Sequence, residues 1–418
     1  MTSQWKSIAF WVGAVLVMVL ATVFYQPAAA KTGALLVWTR NRVYVMDLDT
    51  LDLQRVGPAT VEQAVVPSPG CYAQGDAACW VLIDDTLYDI DLSIGGNHRL
   101  LGRLPVGDNF YWPDNGEPSW SPDGVSIAYS VVNDQTDQAE LRLYNLKTNT
   151  IRNVAGANID PGITVVWTSQ CENGLDAEGC KLGYKKMPLS THADTSLLVG
   201  YTPATETTRE WLISSEPIFE LRWSSDGVLL YSRPKRHFFR ADNHQPLYNL
   251  PIGGKLANVS PDVHYVVYYQ PFLLEGCESP GEEGSCLYLG VWLAQLGETK
   301  EEDRSLIYSI NLSDESRTGG LNFVPTWQPD GNAFVFFQDG KLIHYDLEKR
   351  EGTIWYKLAG DKLRSVPVFS PDGEAVTFVD NQGQGFSEYR LVVVNPRLQP
   401  VEEVLQEESF KVLAWLPN

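Results

Sequence analysis

The six histidines, His98, His192, His237, His244, His264 and His344, are the obvious candidates for acid–base or metal chemistry in this chain. A zinc site or a catalytic pair needs such side chains at short, repeated spacings, as in His-Glu-x-x-His, and none of the six has a partner at that spacing. His264 and His344 fall in runs of β-forming residues, where a hydrogen-bonded structural histidine is expected. No Gly-x-Ser-x-Gly nucleophile elbow occurs. The adjacent acids Asp84 and Asp85 could serve an active site, but their setting between two apolar runs reads as a solvated turn. The residues therefore point to no catalytic set, no metal and no cofactor.

Cysteine chemistry is more informative. The six cysteines form three close pairs, Cys71 with Cys79, Cys171 with Cys180 and Cys277 with Cys286, and none has Cys-x-x-Cys spacing. Six cysteines allow fifteen connectivities. Local pairing is expected because each pair brackets a short polar loop bounded by Gly, Asp or Glu. Three such disulfides imply an oxidising compartment.

Two charged stretches are candidate recognition surfaces. Arg233, Lys235, Arg236, His237 and Arg240 form a basic cluster, read either as a solvated hairpin or as a patch for an acidic partner. An insertion from about Leu273 to Arg304 carries Glu275, Glu278, Glu282 and Glu283, whose spacing is not that of an EF-hand calcium loop.

The elements that must position these residues follow from composition and repeats. The chain has 418 residues, 44% hydrophobic and 20% charged, with a formal net charge of -20. That composition is globular, and the acidity argues against nucleic acid or an anionic membrane surface as partner. Residues 1–30 read as a targeting segment: Lys6, an apolar run from Ile8 to Phe24, then Ala28-Ala29-Ala30. It is either a cleaved signal or a retained anchor; with no cysteine before Cys71 it is not a lipoprotein anchor. In both cases residues 31–418 lie outside the cytoplasm as one domain.

One pattern recurs: Trp120-Ser121-Pro122-Asp123-Gly124, Trp223-Ser224-Ser225-Asp226-Gly227, Val259-Ser260-Pro261-Asp262, Trp327-Gln328-Pro329-Asp330-Gly331 and Phe369-Ser370-Pro371-Asp372-Gly373. Each reads as a buried residue ending one strand, a tight turn, then a β-rich second strand. Weaker copies stand at Pro67–Gly70, Trp167–Gln170 and Trp415–Asn418. The mean spacing of roughly 50 residues suits one four-stranded propeller blade, so eight copies predict eight blades. A second repeat, ending in Asp or Asn, marks third strands at Val43–Leu48, Leu87–Leu92, Leu141–Leu146, Ile307–Leu312 and Leu342–Leu347. Ala34–Thr39 lacks a first strand before it and Phe410–Leu416 lacks a second after it, so the two are expected to pair and close the ring.

These copies resemble the WD40-like repeat of the TolB type, which is also found in the propellers of prolyl-oligopeptidase relatives. The resemblance covers essentially everything after residue 30. It implies an all-β propeller and, from the TolB type, a periplasmic protein that binds other proteins, although eight copies exceed the usual six. No hydrolase domain follows the repeats, the Asp boxes of sialidases lack their closing Trp here, and the Trp-docking repeats and adjacent cysteines of quinoprotein dehydrogenases are missing. The expected function is a non-catalytic scaffold that binds an envelope or extracellular protein or ligand. The alternative is an exported enzyme, hydrolytic or quinone-dependent, with its site in the central channel.

Overall fold

In the computed structural model, the described residues are 34–39, 42–48, 52–56, 65–69, 78–91, 98–113, 118–155, 159, 165–186, 196–213, 218, 221–224, 226–233, 237–248, 251, 255–279, 282–297, 304–311, 324–338, 340–358, 365–381, 389–396, 401–405 and 411–416. The targeting segment, residues 1–30, lies outside them. Among the described residues no helix is long and apolar enough to cross a membrane.

Among the described residues, thirty-three strands form eight antiparallel sheets, one per blade. Blade 1 runs outward from Lys411–Leu416 through Ala34–Thr39 and Arg42–Asp47 to Leu53–Val56. The closure is as expected: Ala34 pairs with Leu416 and Leu36 with Ala414. Blade 2 follows from Val65–Pro67 to His98–Arg103, blade 3 from Ser119–Trp120 to Thr150–Ala155, and blade 4 from Val166–Trp167 to Thr207–Ile213. Blade 5 spans Leu221–Trp223 to Pro246–Tyr248, blade 6 Lys255–Val259 to Arg304–Asn311, blade 7 Thr326–Trp327 to Glu351–Lys357, and blade 8 Val368–Phe369 to Val401–Leu405.

Among the described residues, eight apolar clusters hold the ring, each shared by two adjacent blades. Side chains on a strand alternate between faces, and here both faces are buried. In the second strand of blade 7, Phe334 and Phe336 pack on Val267 and Leu289 of blade 6, while Val335 and Phe337 pack on Phe369 and Phe378 of blade 8. Leu35 and Val37 likewise meet blade 8, and Leu36 meets blade 2. This explains why second strands read as unbroken apolar runs rather than alternating ones.

The repeat has a further role that the sequence did not disclose. Its Trp donates an indole N–H to the innermost strand of the preceding blade: Trp120 to the Val66 carbonyl at 3.0 Å, Trp223 to Val166 at 3.1 Å, Trp327 to Asn258 at 3.1 Å and Trp415 to Val368 at 3.0 Å. Trp167 reaches the Ser119 hydroxyl at 3.1 Å. The turn itself is built as its residues predict. Asp372 Oδ1 accepts from the Glu374 N–H at 2.9 Å, the Ser370 hydroxyl accepts from the Ala375 N–H at 2.9 Å, and Gly373 holds φ 72. A Cβ on Gly373 would lie 2.4 Å from Nε2 of Gln328, which reaches across from the turn of blade 7. We expect Gly373→Ala to destabilise the protein by about 1–3 kcal/mol. In a Gln328→Ala background the steric part should vanish and the left-handed part remain. Urea unfolding of the four proteins checks this; equal losses in both backgrounds would refute the cross-blade contact.

Ile307–Leu312 corrects an expectation. It falls in the fourth strand of blade 6, Arg304–Asn311, and not the third. The third strand is Glu282–Gln295, displaced along the chain because the insertion is itself sheet.

Candidate binding face

Antiparallel pairing gives the propeller two distinct faces. Turns between first and second strands, and between third and fourth, lie on one, here termed the turn face. Hairpins between second and third strands, together with the links between blades, lie on the other, the hairpin face.

The residues with catalytic potential are scattered. His98 is exposed on the outer strand of blade 2, His244 sits in a turn of blade 5 at φ 57, and His237 opens the third strand of that blade. His192 lies outside the described residues. His344 is half-buried in the third strand of blade 7, stacked on Trp355 with ring centroids 4.1 Å apart, and burial lowers its pKa. That matches the expected structural role. His264 does not: it is exposed in the turn before the second strand of blade 6, with Nδ1 2.8 Å from Asp262. The sequence reads as strand here because Val263, at φ 60, occupies the place that glycine holds in most other copies. Asp84 and Asp85 form the hairpin turn of blade 2, where Asp85 accepts the Thr86 hydroxyl at 2.8 Å. Among the described residues no group of three or more His, Cys, Asp or Glu could hold a metal ion.

The largest pKa shifts belong to tyrosines packed between blades. Burial raises Tyr129 to about 12, with its hydroxyl donating to the Pro105 carbonyl at 2.8 Å. Burial also raises Tyr184 and Tyr269, and the Tyr269 hydroxyl donates to the Phe337 carbonyl at 3.2 Å.

The cysteines occupy both faces. Cys171 and Cys180 form a disulfide and are fully buried. Their loop, containing the 3-10 turn Ser169–Asn173, replaces the tight turn of blade 4 on the turn face. The following Lys181 places its ammonium 5.8 Å over the ring of Trp223 in blade 5. Replacing both cysteines by Ala should lower stability by about 2.7 kcal/mol in the loop-entropy model, measured by urea unfolding; a loss under 1 kcal/mol would show that the loop's own hydrogen bonds already hold it. Cys79 is also disulfide-bonded, while Cys71 lies outside the described residues. Cys277 and Cys286 lie on facing strands of blade 6, at the hairpin face. Their side chains lie outside the described residues.

The basic cluster is divided by the fold. Arg233 ends the second strand of blade 5 and pairs in register with His237. The connection holding Lys235 and Arg236 lies outside the described residues. Arg240 lies at the other end of the third strand, toward the turn face. There its guanidinium binds Asp226 at 2.8 Å and Asp242 at 3.1 Å. The Ser224 hydroxyl and Arg240 hold the Asp226 carboxyl below its ordinary range, and Arg240 does the same to Asp242. Both acids therefore stay ionised at any moderate pH, and Arg240 remains paired with them there.

The insertion of blade 6 is the most prominent feature of the hairpin face. Its second strand, Tyr265–Ser279, has 15 residues and its third, Glu282–Gln295, has 14. The second strands of the flanking blades have 5 and 6. The second strand thus exceeds its neighbours by roughly 30 Å at about 3.3 Å per residue. Its base is an aromatic knot. Phe272 stacks on Tyr288 and meets Trp292 edge-on, both at 5.7 Å, and Arg304 lies 4.5 Å over Trp292. Further out, Leu273 pairs with Leu287, and these are 65% and 43% exposed. The run of β-branched and aromatic residues from Tyr265, extending to Leu274, is the available signal for this ribbon.

A second feature missed by sequence lies at the hairpin-face end of blade 3. Phe110–Tyr111 adds a short strand on the channel side, pairing with Val132 and Asn133. Arg142 covers the Phe110 ring at 4.3 Å, and Trp112 stacks on Tyr129.

A scan against protein families finds no match, and a search of curated proteins finds no relative. Solved structures do resemble the fold. A dihydro-heme d1 dehydrogenase, NirN, is 12% identical, with 93% of this chain and 77% of that one covered at TM-score 0.51. A eukaryotic initiation factor is 11% identical, with 92% and 100% covered at TM-score 0.50. TolB from Acinetobacter baumannii is 12% identical, with 90% and 79% covered at TM-score 0.32. At these identities the likeness is one of fold alone: the chain is an eight-bladed β-propeller.

Proposed function

We propose that this protein is an exported, non-catalytic scaffold that binds another envelope or extracellular protein through the hairpin face of its propeller. The observation that carries the reading is the ribbon of blade 6. Leu273 and Leu287 are held in solvent, beyond the ring, where they add nothing to the core. Large apolar side chains placed together on a projecting element mark contact surfaces more often than folding elements. Cysteine pairs on both faces support export, since disulfides persist in oxidising compartments.

The test is affinity capture from the native envelope, comparing wild type with Leu273→Ser/Leu287→Ser and with Arg233→Ser/Lys235→Ser/Arg236→Ser. Arg240 is left intact because two aspartates already neutralise it. Wild type should retain a protein that the leucine variant loses. Retention of no protein, together with turnover of a small molecule by the purified chain, would refute the scaffold. That outcome would favour a channel enzyme.

A further inference from the structure

His344 sits in the seam between two blades. It is half-buried on the third strand of blade 7, where its ring lies 3° from parallel to that of Trp355, with centroids 4.1 Å apart. Trp355 packs on the apolar cluster shared with blade 8 and meets Phe369 of that blade edge-on at 6.3 Å. Nε2 of His344 lies 3.5 Å from Oε1 of Gln328, in the turn of blade 7. An amide oxygen only accepts, so Nε2 carries the proton and Nδ1 is the nitrogen that titrates. The other end of the same amide, Nε2 of Gln328, is the atom that approaches Gly373 of blade 8. A change of charge on the imidazole is therefore felt at two contacts with blade 8, Phe369 and Gly373. Asp346, at the end of the same strand, and Asp330, in the turn before the second strand, favour the protonated ring, and Lys349 opposes it while pairing with Asp346. On blade 8, Asp372 and Glu374 flank Gly373, and Asp372 is engaged within its own turn, accepting from the Ser370 hydroxyl at 2.6 Å. Burial outweighs the two acids, so the neutral ring is favoured and the pKa falls below its ordinary value of 6.5.

We infer that His344 is a proton-operated latch, which when neutral ties blade 7 to blade 8 through Trp355 and Gln328, and when protonated loosens that seam. The charged ring gains solvation by leaving the stack, which takes its support from Trp355 and Gln328. Because the pKa is lower folded than unfolded, the latch contributes its full stability above about pH 6.5 and loses it as pH falls through the folded-state value. Blade 8 also accepts the Trp415 indole at the Val368 carbonyl, so the latch lies one blade from the closure of the ring. An acidic setting thus softens the propeller next to its closure. Nothing in this latch depends on the scaffold reading.

The test uses the full chain and two variants: His344→Phe, which can stack but does not titrate, and His344→Gln, which is polar but does not titrate. Urea unfolding at about pH 8 and about pH 5.5 gives the rise in the unfolding constant for each protein. That rise should be larger in wild type than in either variant by roughly three- to tenfold, the upper figure being the limit set by an unfolded-state pKa near 6.5. Hydrogen–deuterium exchange locates the effect. Between the same two pH values, and after correction for intrinsic rates, peptides covering 326–357 and 365–381 should gain more exchange in wild type than in His344→Phe. An equal pH response in all three proteins would overturn the latch. So would a larger wild-type response whose added exchange lies in other blades, since His344 would then titrate without working this seam. If one variant fails to fold, the other carries the comparison.

Discussion

Deleting residues 411–418 is expected to abolish the cooperative thermal transition of the whole propeller. The strand Lys411–Leu416 is the innermost of blade 1, so its loss removes a ladder against Ala34–Trp38. It also removes Trp415, which is buried with Leu35, Val37 and Met46 of blade 1 and Leu391 and Val393 of blade 8. Loss of a buried Trp side chain alone costs about 3–5 kcal/mol, against a total stability of about 5–15 kcal/mol for a typical domain. The missing ladder and the opened inner edge of Ala34–Thr39 add to that. Circular dichroism melting checks the result. A truncated chain that melts within a few degrees of the full one would show that the ring does not depend on this closure. Trp415→Phe is the graded companion. It keeps most of the volume, loses the 3.0 Å bond to the Val368 carbonyl, and should cost about 1–3 kcal/mol.

The second large effect is expected at Asp380 and Arg390. They pair in register on the second and third strands of blade 8, with Nη2 2.6 Å from Oδ2 and side chains 5% and 0% exposed for Arg390 and Asp380. Arg390 also lies 5.9 Å over the ring of Tyr356 in blade 7. Removing one partner strands a buried charge, so Asp380→Leu or Arg390→Met should each cost about 3–5 kcal/mol. The double variant, which buries no charge, should recover most of that loss. A double-mutant cycle in urea measures it. Single variants within 1 kcal/mol of wild type would mean that water reaches the pair on opening. The location has a logic shared by neighbouring blades. Gln270, Gln338 and Asp380 occupy the same place in the second strands of blades 6, 7 and 8, and all three are buried. Gln270 accepts from Arg304 at 2.7 Å, and Gln338 donates to the Leu289 carbonyl at 3.4 Å. A polar layer thus ends the apolar core between blades just below the hairpin face.

Fold class, blade number and ring closure were legible in the chain because their signals are local. A Ser-x-Asp-Gly turn is read from residues that bond within five positions of one another, and β-periodicity from adjacent ones. The local pairing of Cys171 with Cys180 was legible for the same reason. Where local signals misled, the cause was a neighbour that sequence does not show. Ile307–Leu312 reads as a third strand because the preceding ribbon reads as an insertion rather than as sheet. Arg240 looked like part of a basic patch because its partner Asp226 lies across two strands.

What the tertiary structure alone decided are the contacts between blades. The indoles of Trp327 and Trp415 find acceptors 69 and 47 residues away, at separations that vary from blade to blade. Asp380 and Arg390 meet only because the register of one hairpin brings them opposite. Leu273, where the sequence places the start of an insertion, stands in solvent because the flanking blades stop short of it. Local chemistry in this sequence determines how each blade is made. Which groups a blade shields, and which it leaves open to a partner, depends on the lengths of its neighbours, and no single stretch of sequence carries that information.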